Sequence, residues 1–312
     1  MGGKSSKNKN QQNEIPKQKP KQKNASDLEN EIEYKYNSEG ELVHKMTGEK
    51  VGKLTQGEYE QVGIYVEKYI EEQLINNLHL KVLYVPNNSS DLTQRNEKIA
   101  QTRMLVTQDF YTNPKCLLLL PGAGVVKLGQ WARSVCINEN LDLGSMIPYV
   151  QEATRSGFSV AIFNSNELSD FEYGEKIKEF DCMENHSLYV YNNVIKKNNA
   201  IKELYFVAHS MGGVCTLEIL LKNKEDLMSG KIKKIAFTDS VHAQEYLELG
   251  EEGVKKFREI TRNYICSDEP AGTFIGDYTK SYRGVDSYSS GHKKHEYTSG
   301  SAIYAIFDFL KE

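Results

Sequence analysis

No apolar run in this chain approaches the roughly 20 residues that a membrane-spanning helix needs, and the longest candidate is the short segment Cys116 to Leu120. The residues after Met1 are Gly, Lys, Ser and Asn in place of an apolar segment, which argues against a secretory signal. The five cysteines (Cys116, Cys136, Cys182, Cys215, Cys266) are odd in number and scattered, and no two form a C-x-x-C pair. That excludes a disulfide framework or a structural zinc site as the organising device and points to a reducing compartment. No basic stretch interleaved with aromatics lies in the body of the chain, so sequence-specific nucleic-acid recognition is not expected. The glycine-rich segment Pro121-Gly-Ala-Gly124 lacks the G-K-[ST] of a phosphate-binding loop and the third glycine of a dinucleotide fingerprint, so no cofactor is expected.

Charge, by contrast, is abundant and uneven. Residues 1–23 carry seven lysines and one acid, a net of +6, against −4 for the whole chain, so the remainder carries −10. Residues 1–27 hold almost nothing apolar to bury, and a disordered basic tail is expected there, followed by one domain over 28–312. The opening Met1-Gly2-Gly3-Lys4-Ser5-Ser6 fits the pattern for myristoylation at Gly2. One acyl chain binds membranes only marginally, and lysines within residues 1–23 would supply the second signal on an anionic membrane surface.

Beyond residue 31 the pattern becomes globular. Ile32 to Tyr36 and Glu41 to Lys45 flank Asn37-Ser-Glu-Gly40 and predict a hairpin. Tyr59, Val62, Val66, Tyr69, Ile70 and Leu74 recur at helical spacing and predict a helix over 58–74. Short apolar runs follow at Leu80 to Val85, Cys116 to Leu120, Phe158 to Phe163, Leu204 to Ala208, Ile232 to Phe237 and Tyr264 to Cys266. Runs apolar on both faces, separated by helix-compatible stretches, predict parallel strands covered by helices. A closing helix is expected at about Ser299 to Leu310. The fold class is therefore α/β, an open and mostly parallel sheet with helices on both faces.

The most informative segment is Leu204-Tyr-Phe-Val-Ala-His-Ser-Met-Gly-Gly213, an apolar strand running into a small-residue turn with Ser210 at its tip. This is the form of a nucleophile elbow, in which a strained turn projects the serine hydroxyl beyond the sheet. Gly212 supplies the small residue two positions later, and Ala208 stands where glycine is usual two positions earlier. Amides of Gly122, Ala123, Gly124 and Met211 are the candidates for an oxyanion hole.

Serine needs a general base, normally a histidine held by a carboxylate and late in the chain. His295 is the choice over His292, which is expected to face solvent, and the i,i+3 pair is not taken as a metal site. His209 is expected to be structural, since strand alternation turns it away from Ser210. Three acids compete: Glu269 ranks first, because the usual position follows the later strand, then Asp239, then Asp268.

Taken together the chain resembles the Argonaute-binding (Arb2-type) domain family of α/β-hydrolase-like proteins. The matching motifs include Tyr34-Lys-Tyr-Asn-Ser-Glu-Gly-Glu-Leu42, Gly129-Gln-Trp-Ala-Arg133, Ile137-Asn-Glu-Asn-Leu-Asp142, Phe206 to Gly213, Thr238-Asp-Ser-Val-His242, Ser267-Asp-Glu-Pro270 and His295-Glu-Tyr-Thr-Ser299. Family members include a fungal small-RNA chaperone component, the C-terminal region of some fungal histone deacetylases and animal cotranscriptional regulators. The resemblance implies that Ser210 falls on the family's nucleophile position and His295 on its late histidine. Two positions depart from the pattern: the oxyanion loop begins Pro-Gly in place of His-Gly, and Gly272 stands where an acid follows Glu-Pro. Two functions are expected from this. One is hydrolysis of an ester, thioester or amide through Ser210 and His295; the other is a non-catalytic scaffold binding an Argonaute or chromatin-associated protein. The relatives imply nucleus and cytoplasm, and the N-terminus implies peripheral membrane attachment.

Overall fold

The computed structural model describes residues 23–312 except 88, 90 and 282. Gly2 and most of the basic tail lie outside the described residues. The first described element lies at the end of the segment expected to be a tail. Asn24 caps a helix over Ala25–Glu29, its side chain accepting from the Asp27 amide while Asp27 reaches back to the Asn24 amide. That reciprocal capping box satisfies amides otherwise orphaned at a helix start, and it overrides the polar composition of the segment.

Eleven strands are described, in chain order β1 (Tyr34–Tyr36), β2 (Leu42–His44), β3 (Lys81–Val85), β4 (Thr102–Val106), β5 (Lys115–Leu120), β6 (Ser159–Ile162), β7 (Glu203–His209), β8 (Ile232–Thr238), β9 (Thr261–Ile265), β10 (Phe274–Gly276) and β11 (Asp286–Ser289). β1 and β2 form the expected small hairpin. The rest form one sheet in the order β10-β11-β9-β8-β7-β5-β6-β4-β3. The run β6-β5-β7-β8-β9-β11 is parallel, while the pairs β3–β4 and β4–β6 on one side and β10–β11 on the other are antiparallel.

The central strands are buried on both faces. Leu118 and Leu120 of β5 pack into one apolar layer, Leu117 and Leu119 into the other, and each is fully buried. Each such leucine contributes about 1.5–3 kcal/mol by leaving water. The helix Met211–Lys222 covers the first layer through Cys215 and Leu217. The helices Gln56–Glu72, Ile147–Arg155 and Ile303–Lys311 cover the second through Val62, Val150 and Phe307.

β4, β10 and β11 fall outside the apolar runs because their patterns are weak. β4 carries Arg103, paired with Glu71, β11 reads Asp-Ser-Tyr-Ser, and β10 is an edge strand of three residues with Phe274 and Ile275 exposed.

The functional consequence lies in the strand order. From β5 the chain steps to β6 on one side and then crosses back to β7 on the other, so the order reverses at β5. In open α/β sheets, the crevice beyond the carboxyl ends at such a reversal is where ligands bind.

Candidate active site

Register alone assembles this site. Leu120 at the end of β5 pairs with Ala208 of β7, His209 pairs with Thr238 of β8, and Thr238 pairs with Tyr264 of β9. The residues that follow each strand are therefore neighbours: the Pro121-Gly122 loop, Ser210, Asp239 and Cys266.

Ser210 sits at the strand-to-helix turn with φ 51° and ψ −116°, and the helix Met211–Lys222 begins at the next residue. A non-glycine residue at positive φ stores of order 1–3 kcal/mol of strain that the surroundings must enforce. Three features enforce it. The Ser210 amide donates to the Thr238 carbonyl at 3.1 Å, and the Ser210 carbonyl accepts from the Gly213 and Val241 amides. The third is contact: a Cβ on Gly212 would lie 2.6 Å from the Leu120 carbonyl oxygen and 2.8 Å from that of Pro121. Only glycine lets the turn lie this close to β5. Ala208, in place of the usual glycine, is fully buried without distortion of the ladder.

The histidine and its acid come from distant segments. His295 Nδ1 lies 2.6 Å from Asp239 Oδ2. Asp239, at φ 46°, occupies the first position past β8. Cys266 Sγ donates to the same carboxylate oxygen at 3.1 Å. Burial pushes the Asp239 carboxyl up, but the hydrogen bonds from His295 and Cys266 outweigh it and leave it below the ordinary value. The bond to Asp239 holds the His295 imidazole above its ordinary value. Burial and the adjacent Asp239 push the Cys266 thiol up to about 12, which makes it a hydrogen-bond donor and not a nucleophile.

The first-ranked acid is not at this position. Glu269 is exposed, and its carboxylate makes no hydrogen bond or ion pair among the described residues. Its backbone carbonyl instead accepts from Ser289 Oγ. Asp268 pairs with Lys293 at the surface. Both follow β9 beyond Cys266 and leave the sheet edge, whereas the turn at Asp239 aims its carboxylate at His295. His292 is half-buried, stacked on Tyr297 with ring centroids 4.1 Å apart. No hydrogen bond joins Ser210 Oγ to His295, whose ring instead bonds Asp239 and packs against His209, the residue before the serine. Serine–histidine contacts are often long before substrate binds.

On the oxyanion side, the amides of Gly122, Ala123 and Met211 have no acceptor among the described residues. Gly124 does not share that property: its amide donates to Asn166 Oδ1 at 3.2 Å, while Asn166 Nδ2 donates to the Gly122 carbonyl at 2.8 Å. The Gly124 amide, expected to be free for an oxyanion, is thus already occupied, and Asn166, from the loop after β6, clamps the 121–124 loop. A Cβ on Gly122 would lie 3.0 Å from Ser210 Cβ, so this loop does pass directly over the serine.

A second serine–histidine pair supports the site from below. His242 Nε2 bonds the Arg283 carbonyl at 2.9 Å, so it carries the proton, and His242 Nδ1 accepts from Ser240 Oγ at 2.7 Å. Both side chains are fully buried, and burial pushes His242 down to about 4. This pair anchors the loop that carries Asp239 and has no route to a substrate. Among the described residues no group of three or more His, Cys, Asp or Glu is placed to hold a metal ion.

The sheet order, the strained serine turn after β7 and the chain order Ser210, Asp239, His295 define an α/β-hydrolase architecture. The chain belongs to the Arb2 domain family, whose profile it matches over residues 26–173 and 169–271. It is 32% identical to the "Cotranscriptional regulator ARB2A homolog" of Dictyostelium discoideum, over 90% of this chain and 78% of that protein. To the human "Cotranscriptional regulator ARB2A" it is 29% identical, over 90% of this chain and 79% of that one. Among solved structures, "A histone deacetylase from Saccharomyces cerevisiae" aligns at a TM-score of 0.48 and 8% identity, covering 83% of this chain and 99% of that one. The esterase Est22 aligns at a TM-score of 0.46 and 12% identity, covering 81% and 88%.

Proposed function

We propose that this chain is a serine hydrolase acting on an ester, thioester or amide, with Ser210 as nucleophile, His295 as general base and Asp239 as the acid that orients it. The observation that carries this reading is the 2.6 Å bond between His295 Nδ1 and Asp239 Oδ2. It fixes the proton on Nδ1 and leaves the Nε2 lone pair to take a proton. In the first step the Ser210 hydroxyl proton passes to His295 Nε2 while Oγ bonds the substrate carbonyl carbon. The resulting oxyanion is held by the Met211 amide together with Gly122 or Ala123. As the tetrahedral species collapses, the leaving group departs with the proton from His295, and water then releases the acyl group from Ser210 by the same route. The helix starting at Met211 adds favourable potential for the negative charge.

The test is labelling by a fluorophosphonate probe of wild type and Ser210→Ala. Serine-dependent labelling supports the hydrolase; a folded wild type that takes no label overturns it.

A second reading rests on the relatives, which are named cotranscriptional regulators. On that reading the domain keeps the hydrolase frame as a scaffold for a chromatin-associated or Argonaute protein. Capture of such a partner by wild type and Ser210→Ala alike, with no labelling, supports it. The N-terminal pattern adds attachment to an anionic membrane through a Gly2 myristoyl group and the flanking lysines. Mass spectrometry of the native N-terminal peptide tests this, and an unmodified Gly2 removes it.

A further inference from the structure

His209, the last residue of β7, is buried at 4% exposure. Its Nδ1 lies 3.0 Å from the Thr238 carbonyl oxygen and 3.2 Å from Thr238 Oγ1. A carbonyl only accepts, so Nδ1 carries the proton. Thr238 is itself held, its Oγ1 sharing a hydrogen bond with Ser299 Oγ at 2.7 Å, and Tyr149 donates to the Ser299 carbonyl. The opposite edge of the ring faces the oxyanion loop, because a Cβ on Gly122 would lie 3.0 Å from His209 Cδ2. The ring is thus wedged between two strand ends.

The ring packs against His295 in a tilted arrangement, with ring centroids 4.6 Å apart and planes inclined by 37°. His295 is otherwise open, its side chain 42% exposed, so His209 is the buried surface against which it rests. We propose that His209 is a positioning residue: a rigid ring platform that holds the His295 imidazole in the orientation joining Asp239 to Ser210. This rests on the hydrolytic reading of Ser210 and His295.

The electrostatics agree with that role. Burial, and then the neighbouring His295, push His209 down to about 4, against opposing contributions from the Thr238 bond and Asp239. The groups acting on His295 are Asp239, Glu296 and Arg283. His209 therefore stays neutral where His295 takes up its proton, and the imidazolium formed in the first step meets no second cation at stacking distance. A lysine or a charged histidine at position 209 would oppose that step.

Three variants test the platform. His209→Ala removes the ring, His209→Gln removes it but keeps a donor to Thr238, and His209→Phe keeps a ring without the donor. For fluorophosphonate labelling of the full chain, Ala and Gln slow the inactivation step on the order of ten- to a hundredfold, as misplacement of a catalytic group does. Reversible probe affinity is unchanged, and Phe restores most of the rate. Should Ala not fold, Gln alone decides. Labelling by Gln at the wild-type rate overturns the proposal. A second readout needs no activity: the His295 Cε1–H NMR signal carries a ring-current shift that persists in Phe and is lost in Ala and Gln. An unlabelled wild type whose His295 signal still depends on residue 209 overturns the hydrolase and leaves the platform standing. A signal indifferent to residue 209 overturns the platform.

Discussion

The His295 imidazole donates through Nδ1 to Asp239 Oδ2 across 56 residues of chain, at 2.6 Å. Because that bond favours the charged imidazole, His295 titrates above its ordinary value of 6.5. A base works only when neutral, so Ser210 labelling is expected to rise with pH through that raised midpoint. Asp239→Asn should move the midpoint down and slow labelling by up to about 10⁴-fold, the effect of the equivalent change in serine protease triads. An NMR titration of His295 with a labelling series checks both; an unmoved midpoint rules out the pairing.

The same pair fixes a pH window for stability. His295 is raised on folding, so its contribution is complete below 6.5 and is lost as pH rises through the folded value; Asp239 is lowered, so its contribution is present above 3.8 and is lost as pH falls through the folded value. Wild type minus Asp239→Asn in urea denaturation is expected to be greatest in mildly acidic solution and to shrink in both directions. A difference flat from pH 3 to 9 contradicts it.

Glu269→Ala should leave both labelling and the His295 midpoint unchanged, and cost less than about 0.5 kcal/mol of stability, as exposed positions generally do. Loss of labelling in this variant would return the acid to the position after β9.

How far the site was legible in the sequence follows from which facts are local. The elbow is local: an apolar strand, Ser210 and Gly212 stand in one short segment, and the turn forms there. The short continuous apolar runs likewise expose six strands of the sheet. Register is not local. That Thr238 pairs with Tyr264, bringing Cys266 beside Asp239, depends on how β8 and β9 align. A rule about the usual acid position then favours Glu269. Asn166 is hidden for the same reason, since it meets Gly124 from 42 residues away. Alternation gives His209 as a structural residue but not the neighbour its ring packs against, which comes from the far end of the chain. The ring is buried as alternation requires, and it packs against the ring of His295.

Gly212→Ala should cost roughly 1–3 kcal/mol or more, the range for overpacking a close-packed site. The atoms that a Cβ would meet are the backbone oxygens of Leu120 and Pro121, which cannot swing aside as a side chain would. Urea denaturation measures the loss. A change under about 0.5 kcal/mol would mean the turn can separate from β5, and the strained Ser210 conformation would lose its cause.

Cys266 supplies the prediction with the most unusual sign. Its thiol and the His295 ring compete for one oxygen of Asp239. Removing the thiol in Cys266→Ala leaves that oxygen a stronger acceptor, so the His295 midpoint should rise, opposite to its fall in Asp239→Asn. Because the thiol titrates at about 12, Cys266 in the folded wild type should also resist iodoacetamide at pH 8 and react once urea unfolds the chain. A His295 midpoint that falls in Cys266→Ala would mean that the thiol supports the pair instead of competing within it. Rapid native alkylation would mean that it carries no shared proton at all.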